Sequence, residues 1–239
     1  MKLVTLTILF LVKYHYVWSA SQCGTLNQGE ASRPSPRSDQ WWHDRHAYFS
    51  AICDGNPDLP TIFFGDSITQ GWNENGLSVF KKYYAPLGAV NFGIGGDRTQ
   101  HVIWRIINGE VKRCRPKVVV LLIGTNNIST NYWDGTAAGV VNVVGTLRFL
   151  LPNTKIILLG ILPRQGVPYF DRITKINNKL QTLHDGRHIF FLDMFEQFKG
   201  AAWGTVPSAL FYDGLHLTTD GYQLWADTMQ PLFNQLIDQ

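Results

Sequence analysis

The sequence has little cysteine, no dense cluster of basic residues and no apolar run of the roughly 20 residues that a membrane-spanning helix needs. Its formal net charge is only +3 over 239 residues, which argues against a nucleic-acid-binding surface. The three cysteines lack the spacing of a zinc site, and we expect no metal and no cofactor. What is present is a globular composition, because 45% of the residues are hydrophobic and can form a substantial core.

The N-terminus is typical of a secretory signal peptide. Lys2 supplies the positive charge, residues 3–12 form a short apolar stretch, and Ser19-Ala20-Ser21 supplies small residues for cleavage. We therefore expect residues 1–20 to be removed and the mature protein to be secreted. An uncleaved signal anchor and a buried N-terminal strand are the alternatives.

Secretion would place the three cysteines in an oxidising compartment, which favours disulfide formation. In an oxidising compartment, three cysteines most simply form one disulfide and leave one thiol. We prefer the pair Cys23 and Cys53, since both precede the first predicted strand and their bridge would tie down a polar leader. Cys114 would then keep a free thiol, which could be buried and inert.

The rest of the chain divides into a leader with an N-terminal helix, residues 21–58, and a single domain, residues 59–239. Residues 21–39 are rich in Ser, Pro, Gly and Arg, which predicts an extended leader with little structure. Residues 41–53 predict a helix. Three of its side chains are expected to pack on the main domain: Trp42, His46 and Phe49.

Strand and helix patterns alternate through the main domain. Five short apolar runs predict strands that are buried on both faces of a parallel sheet. These runs are residues 61–64, 89–94, 117–123, 155–161 and 188–192. The main helical patterns are residues 98–108, 137–151, 171–183 and 219–236. The fold class is therefore predicted to be α/β, with a five-stranded parallel sheet and helices on both of its faces.

Four polar motifs lie at the carboxyl ends of predicted strands or in the loops after them. They are Gly65-Asp66-Ser67, residues 91–97, Gly124-Thr125-Asn126-Asn127 and residues 213–216. Because ligands of open α/β sheets bind outside the carboxyl ends of the strands, we expect these motifs to converge on one edge.

Two of these motifs together contain a serine hydroxyl, an imidazole and a carboxylate. Those are the groups that activate an alcohol as a nucleophile toward an acyl carbon at neutral pH. Taken singly, Ser67 is an ordinary turn residue, Asp213 a turn cap and His216 an interior histidine. Their presence in one chain, with the other motifs in a suitable order, favours nucleophilic catalysis.

The motifs resemble those of the SGNH (GDSL) hydrolase family, and within it the branch of the platelet-activating-factor acetylhydrolase catalytic subunits. The matching segments are Gly65-Asp66-Ser67, Asn91-Phe92-Gly93-Ile94-Gly95-Gly96-Asp97, Gly124-Thr125-Asn126-Asn127 and Asp213-x-x-His216-Leu217-Thr218. The likeness extends over about residues 59–236. It implies a three-layer, flavodoxin-like fold with strand order 2-1-3-4-5.

The resemblance also implies roles for individual residues. Ser67 would be the nucleophile, His216 the base that takes and returns its proton, and Asp213 the group that orients the imidazole. The oxyanion hole would be formed by the backbone N–H groups of Ser67 and Gly96 and by the side-chain amide of Asn126. Glycine suits this role because a backbone without a Cβ can approach the substrate oxygen closely.

These roles predict a serine esterase that needs no cofactor and removes short acyl groups through an acyl-enzyme, and the signal pattern predicts that it is secreted. The acetyl preference is implied by the resemblance alone. The leaving group is open among a lysophospholipid alcohol, a sugar hydroxyl and a thiol. The alternatives are a carbohydrate O-acetyl esterase acting on polysaccharide and a catalytically silent binding protein of the same fold. We expect neither nucleic acid nor stable membrane insertion, and an oligomer is compatible with the sequence.

Other candidate sites have simpler explanations. Gly93-x-Gly95 imitates a dinucleotide fingerprint, but Arg98 occupies its third glycine position, which argues against NAD. His43 and His46 suggest metal ligands, although a solvated helix face is the preferred interpretation.

Two further features lie near the predicted edge of the sheet. Trp72 and Trp203 are candidates for lining an acyl or sugar pocket, with packing in the core as the alternative. The glycosylation sequon Asn127-Ile128-Ser129 adjoins the predicted oxyanion donor Asn126, so we expect little or no occupancy.

Overall fold

A computed structural model of the protein describes residues 29–238. Five parallel strands form one sheet: β1 (Thr61–Gly65), β2 (Ala89–Gly93), β3 (Val118–Leu122), β4 (Lys155–Leu159) and β5 (Ile189–Leu192). Their order is β2-β1-β3-β4-β5, which confirms the predicted fold class and strand order. The predicted signal peptide and Cys23 lie outside the described residues.

Eight α-helices accompany the sheet within residues 29–238. They are α1 (Gln40–Gly55), α2 (Ser67–Gln70), α3 (Leu77–Tyr83), α4 (Thr99–Ile107), α5 (Trp133–Leu150), α6 (Val167–Gln181), α7 (Phe195–Phe198) and α8 (Thr219–Ile237). The helix α6 starts four residues earlier than its apolar spacing predicts, because Pro168 in its first turn favours helix initiation. No helix in this part of the chain is long and apolar enough to cross a membrane.

Two apolar clusters cover the two faces of the sheet and form three layers. Consecutive strand residues point to opposite faces, so neighbouring residues of β1 enter different clusters. Phe63 packs in the cluster that contains Trp225 and Met229 of α8. Phe64 packs in the other cluster with Phe49 of α1, together with residues of α4, α5 and α6. Strands buried in this way must be apolar along their whole length, which explains the continuous hydrophobic runs of the sequence.

The N-terminal segment is more ordered than predicted. Residues 29–39 belong to the stretch expected to have little structure, yet they pack against the domain. A 3₁₀ turn over Glu30–Ser32 buries Ala31 completely, and the Ala31 carbonyl accepts a 2.7 Å hydrogen bond from Thr99 Oγ1. Residues 33–39 form no helix or strand, as predicted, but the composition did not indicate this packing, because the partners of the segment lie far along the chain.

The disulfide prediction was also wrong. Cys53 at the end of α1 is bonded to Cys114, which lies 61 positions later in the loop between α4 and β3. Both sulfur-bearing side chains are buried in the cluster beneath α1. Their approach depends on how α1 packs beside the end of α4, and no local spacing in the sequence indicates that packing.

Candidate active site

The serine motif lies at the turn between β1 and α2. Gly65 is required at the end of β1, because a Cβ there would lie 2.2 Å from the Leu122 carbonyl oxygen of the neighbouring strand. Asp66 caps the following helix by accepting a 3.0 Å hydrogen bond from the Ile68 backbone N–H. Ser67 is therefore held at the carboxyl edge of the sheet, next to its central strand.

The structure brings Ser67, His216 and Asp213 into one hydrogen-bonded chain. Ser67 Oγ lies 2.9 Å from His216 Nε2, although the residues are 149 positions apart. His216 Nδ1 lies 2.6 Å from Asp213 Oδ2. Because a carboxylate only accepts, Nδ1 carries the hydrogen of that bond, which leaves the Nε2 lone pair to accept the serine proton. This tautomer is the one that serves a general base.

The loop that carries Asp213 and His216 is shaped by its own hydrogen bonds. Asp213 Oδ1 accepts from the backbone N–H of Leu215 at 2.9 Å and of His216 at 2.7 Å, so the same side chain folds the loop and orients the imidazole. Burial acts to raise the pKa of Asp213, but the hydrogen bonds donated by His216 and Leu215 outweigh it and lower that pKa below its usual value. The carboxyl group is thus ionised at neutral pH.

The loop after β2 lies beside Ser67. A Cβ built on Gly95 would be 3.8 Å from Ser67 Cβ. The next residue, Gly96, has a φ of +79°, a conformation that L side chains rarely adopt. Asn126 is tied to this loop, because its Nδ2 donates a 2.9 Å hydrogen bond to the Asp97 carbonyl oxygen. Gly96 and Asn126, two of the three predicted oxyanion donors, therefore belong to connected segments that adjoin the serine.

This arrangement agrees with the comparisons with known proteins. The model of the GDSL-like lipase/acylhydrolase family matches residues 63–224, which include all of the residues just described. The chain belongs to this family. Members of the family are acylhydrolases, so the activity class of this GDSL-family chain is ester hydrolysis and its substrate is an ester.

Curated relatives align over most of the chain. The platelet-activating factor acetylhydrolase IB subunit alpha2 of Rattus norvegicus is 34% identical over 207 residues, covering 85% of this chain and 88% of the relative. The alpha1 subunit from the same organism is 32% identical over 220 residues, covering 89% of this chain and 92% of the relative.

Solved structures share the fold at lower identity. A GDSL-like lipase from Bacteroides thetaiotaomicron superimposes with a TM-score of 0.67 at 17% identity, covering 80% of this chain and 97% of that chain. A catalytic mutant of the acetylxylan esterase Axe2 from Geobacillus stearothermophilus gives a TM-score of 0.58 at 20% identity, covering 75% of this chain and 94% of that chain. At these identities the likeness concerns the fold.

Sequence reasoning gave no role to Asn91, which fastens the serine helix to β2. Its Nδ2 donates to the Thr69 carbonyl at 2.8 Å, and its Oδ1 accepts from the Gly93 N–H at 2.9 Å. The side chain is buried, and both of its polar atoms have hydrogen-bond partners within the protein. A polar residue inside an apolar strand run was the available signal.

A buried charge network behind the glycine loop was also missed. Arg105 of α4 is fully buried and donates to the carboxylates of Asp97, at 2.8 Å to Oδ2, and of Glu110. Trp42 Nε1 donates to the other oxygen of Asp97 at 2.7 Å. Arginine and carboxylate side chains are rarely buried unless they are paired. The available sequence signal was that Asp97, Arg105 and Glu110 lie within 14 positions of one another.

The tryptophans and histidines considered as pocket-lining residues or metal ligands mostly make contacts within the protein. Trp72 is completely buried in the cluster around α8, so it does not line a pocket at the edge. Trp203 is exposed, and its indole N–H donates to Asp171 at 3.0 Å. His46 does not lie on a solvated face, because its Nδ1 is 2.8 Å from buried Glu110 Oε2. His43 Nε2 is 2.8 Å from the Arg37 carbonyl oxygen.

Proposed function

We propose that this protein is a serine esterase that hydrolyses short acyl esters, with acetyl as the preferred group. The observation that carries the proposal is the hydrogen-bonded chain from Ser67 Oγ through His216 to Asp213, at 2.9 Å and 2.6 Å. A serine, a base and an orienting carboxylate in this order provide the arrangement that nucleophilic acyl transfer needs.

In the first half of the proposed reaction, Ser67 Oγ attacks the ester carbonyl carbon while its proton passes to His216 Nε2. The carbonyl π electrons move to oxygen and form a tetrahedral oxyanion. When this intermediate collapses, the bond to the leaving alcohol breaks and that alcohol takes the proton from His216. The product is an acyl-Ser67 ester and a free alcohol.

In the second half, water takes the place of the alcohol. His216 removes one proton from the water as its oxygen attacks the acyl carbon, and collapse of the second oxyanion returns that proton to Ser67 Oγ. Asp213 stays ionised and stabilises the imidazolium formed in each half. The backbone N–H groups of Ser67 and Gly96 and the Asn126 amide are proposed to donate to the oxyanion.

The acetyl preference is supported by the curated relatives, whose names specify acetylhydrolases. A second candidate is the removal of O-acetyl groups from a polysaccharide. It is favoured by Tyr212, whose largely exposed ring stacks on the His216 imidazole at a centroid distance of 5.8 Å. A flat aromatic surface beside the group that protonates the leaving alcohol offers a face to a sugar ring.

We further propose that the protein is exported. The Cys53–Cys114 bond supports this, because structural disulfides persist in oxidising compartments and are rare in the cytosol. The N-terminal signal pattern points the same way.

The test of the function is hydrolysis of p-nitrophenyl acetate by the parent and by Ser67→Ala. Activity that disappears in the variant supports the esterase, and no activity in either protein supports a silent binding protein. A panel of p-nitrophenyl esters of increasing acyl length, acetylated xylan and an sn-2 acetyl phospholipid then separates the two substrate classes. A rate that rises with acyl length would contradict the short-acyl preference.

A further inference from the structure

The segment N-terminal to the family match reaches the predicted oxyanion hole through one side chain. Arg37 precedes α1 and lies 26 positions before the first residue that the family model matches. Its Nη1 donates a 2.7 Å hydrogen bond to the carbonyl oxygen of Gly95. The contact spans 58 positions of sequence and joins the leader to the loop beside Ser67.

The peptide unit that Arg37 holds is the one that carries the Gly96 N–H. All peptide bonds in residues 29–238 are trans, and in a planar trans unit the C=O and N–H groups point in opposite directions. An arginine bound to the Gly95 oxygen therefore restricts the direction in which the Gly96 hydrogen points, together with the 2.8 Å bond from the Gly95 N–H to Gln70 Oε1. That N–H donates no hydrogen bond within residues 29–238, so it remains available to a substrate oxygen.

Arg37 is itself held in place from a second direction. Its Nε donates a 2.9 Å hydrogen bond to Asp39 Oδ2, while Asp39 Oδ1 accepts from the Trp42 N–H and caps α1. The Arg37 side chain is only about one-quarter exposed, and its Nη1 also lies 3.7 Å from buried Asp97 Oδ1. A planar fork with two anchored donors is far less free to move than a lysine ammonium would be.

We propose that Arg37 is a positioning residue that aims and polarises the Gly96 N–H toward the oxyanion, an inference that rests on the function proposed above. The charged donor draws electron density toward the Gly95 oxygen, which makes the hydrogen on the other side of the same amide more positive. The alternative explanation, that Arg37 only attaches the leader to the domain, predicts a loss of stability with no specific effect on the transition state.

The first test compares steady-state hydrolysis of p-nitrophenyl acetate by the parent, Arg37→Gln, Arg37→Lys and the matched control Arg33→Gln. Removing an oxyanion donor lowers kcat by a factor on the order of 10²–10³. Misaligning one donor should therefore lower kcat about tenfold or more, with little change in KM. Arg37→Lys should lie between, because it keeps the charge but replaces the two separately placed donors, Nε and Nη1, with one mobile nitrogen. Arg33 is exposed on the same leader, and its variant should match the parent.

The second test uses O-(4-nitrophenyl) thionoacetate, in which sulfur replaces the oxygen that the hole binds. Sulfur is a weak hydrogen-bond acceptor and gains little from the hole. The ratio of the oxygen-ester rate to the thionoester rate should therefore fall in Arg37→Gln by about the factor lost in kcat. Equal losses for both esters, or an unchanged kcat, would overturn the proposal.

Two further measurements keep the outcomes separate. Urea unfolding shows whether Arg37→Gln is folded under assay conditions. If that variant is unfolded, the ratio of oxygen-ester to thionoester rates is measured on Arg37→Lys instead. If Ser67→Ala retains activity, the proposed function fails and the role of Arg37 fails with it. If Ser67→Ala is inactive while both Arg37 variants equal the parent, only the role of Arg37 is refuted.

Discussion

Trp42 and Asp97 are 55 positions apart, and the indole N–H of the first donates a 2.7 Å hydrogen bond to the buried carboxylate of the second. This bond fastens α1 to the loop whose backbone carries Gly96 and whose Asp97 carbonyl orients Asn126. The N-terminal helix therefore supports the edge of the domain that carries the candidate active site, although it lies outside the region that the family model matches.

The Trp42–Asp97 bond makes a testable contribution to stability. Trp42→Phe keeps an aromatic ring but leaves the buried carboxylate without one of its donors, so we expect the free energy of unfolding to fall by about 1–3 kcal/mol. Urea denaturation measures the change. The neighbouring Trp41 is about half exposed, and Trp41→Phe should change the value by no more than about 0.5 kcal/mol. Similar values for the two variants would contradict the assigned role of the bond.

Asp213→Asn tests the orienting carboxylate of the candidate triad. Asparagine can still accept the Leu215 and His216 backbone hydrogens at Oδ1, so the loop should keep its shape while the bond to Nδ1–H is lost. With the imidazole free to adopt the wrong tautomer, kcat should fall on the order of 10³-fold in the p-nitrophenyl acetate assay. Asp220→Asn, at an exposed carboxylate in the first turn of α8, is the control. A change of less than about tenfold would refute the role of Asp213.

Asp66 should give stability an unusual pH dependence. Burial raises the pKa of its carboxyl group from 3.8 to about 7, and its Oδ2 accepts no hydrogen bond within the described residues. The folded state then binds a proton that the unfolded state has released, so this group stabilises the protein fully below pH about 4 and loses that contribution as pH rises to about 7. The Asp66 carboxyl group thus makes the free energy of unfolding lower at neutral pH than in mild acid.

Asp66→Asn removes this titration while keeping the oxygen that caps Ile68. The difference in unfolding free energy, variant minus parent, should therefore become more positive between pH 5 and 8 and level off above the pKa of about 7. Urea titrations across that range give the difference. A difference that does not change with pH would show that Asp66 is ionised in the folded protein over this whole range.

The Cys53–Cys114 bond should stabilise the domain by restricting the unfolded chain. It closes a loop with a sequence separation of 61, for which chain entropy predicts about 4 kcal/mol. The double variant Cys53→Ala/Cys114→Ala should lose about 2–4 kcal/mol of unfolding free energy, and the parent in reductant should behave alike. Peptide mapping without reduction provides an independent check, since a Cys23–Cys53 peptide would contradict the pairing.

The sequon at Asn127 should carry no glycan. The side chain is fully buried, its Oδ1 accepts from the Thr99 N–H at 2.9 Å, and its Nδ2 donates to Gln100 Oε1 at 3.0 Å. A sugar on Nδ2 would break that packing. Mass spectrometry of active protein exported from a glycosylating host should find the peptide unmodified, and full occupancy would be incompatible with this placement.

Much of the fold could be predicted because its signals are local. Strands buried on both faces must be continuously apolar, so β1 to β5 are visible as short hydrophobic runs. The capping of α2 by Asp66 and the folding of the loop at Asp213 use partners two or three positions away. The Asp213–His216 pair could therefore be identified without tertiary information, because one short loop holds both groups.

Contacts between distant segments were decided by the tertiary structure alone. Cys53 faces Cys114 rather than Cys23 because α1 packs beside the end of α4, and the same packing places His46 on Glu110 and Trp42 on Asp97. The leader looked unstructured because its order comes from Thr99 and Gly95, which lie more than 50 positions away. Composition records how much apolar surface a segment can bury, but the partner of a buried polar group depends on which helix the chain brings alongside it.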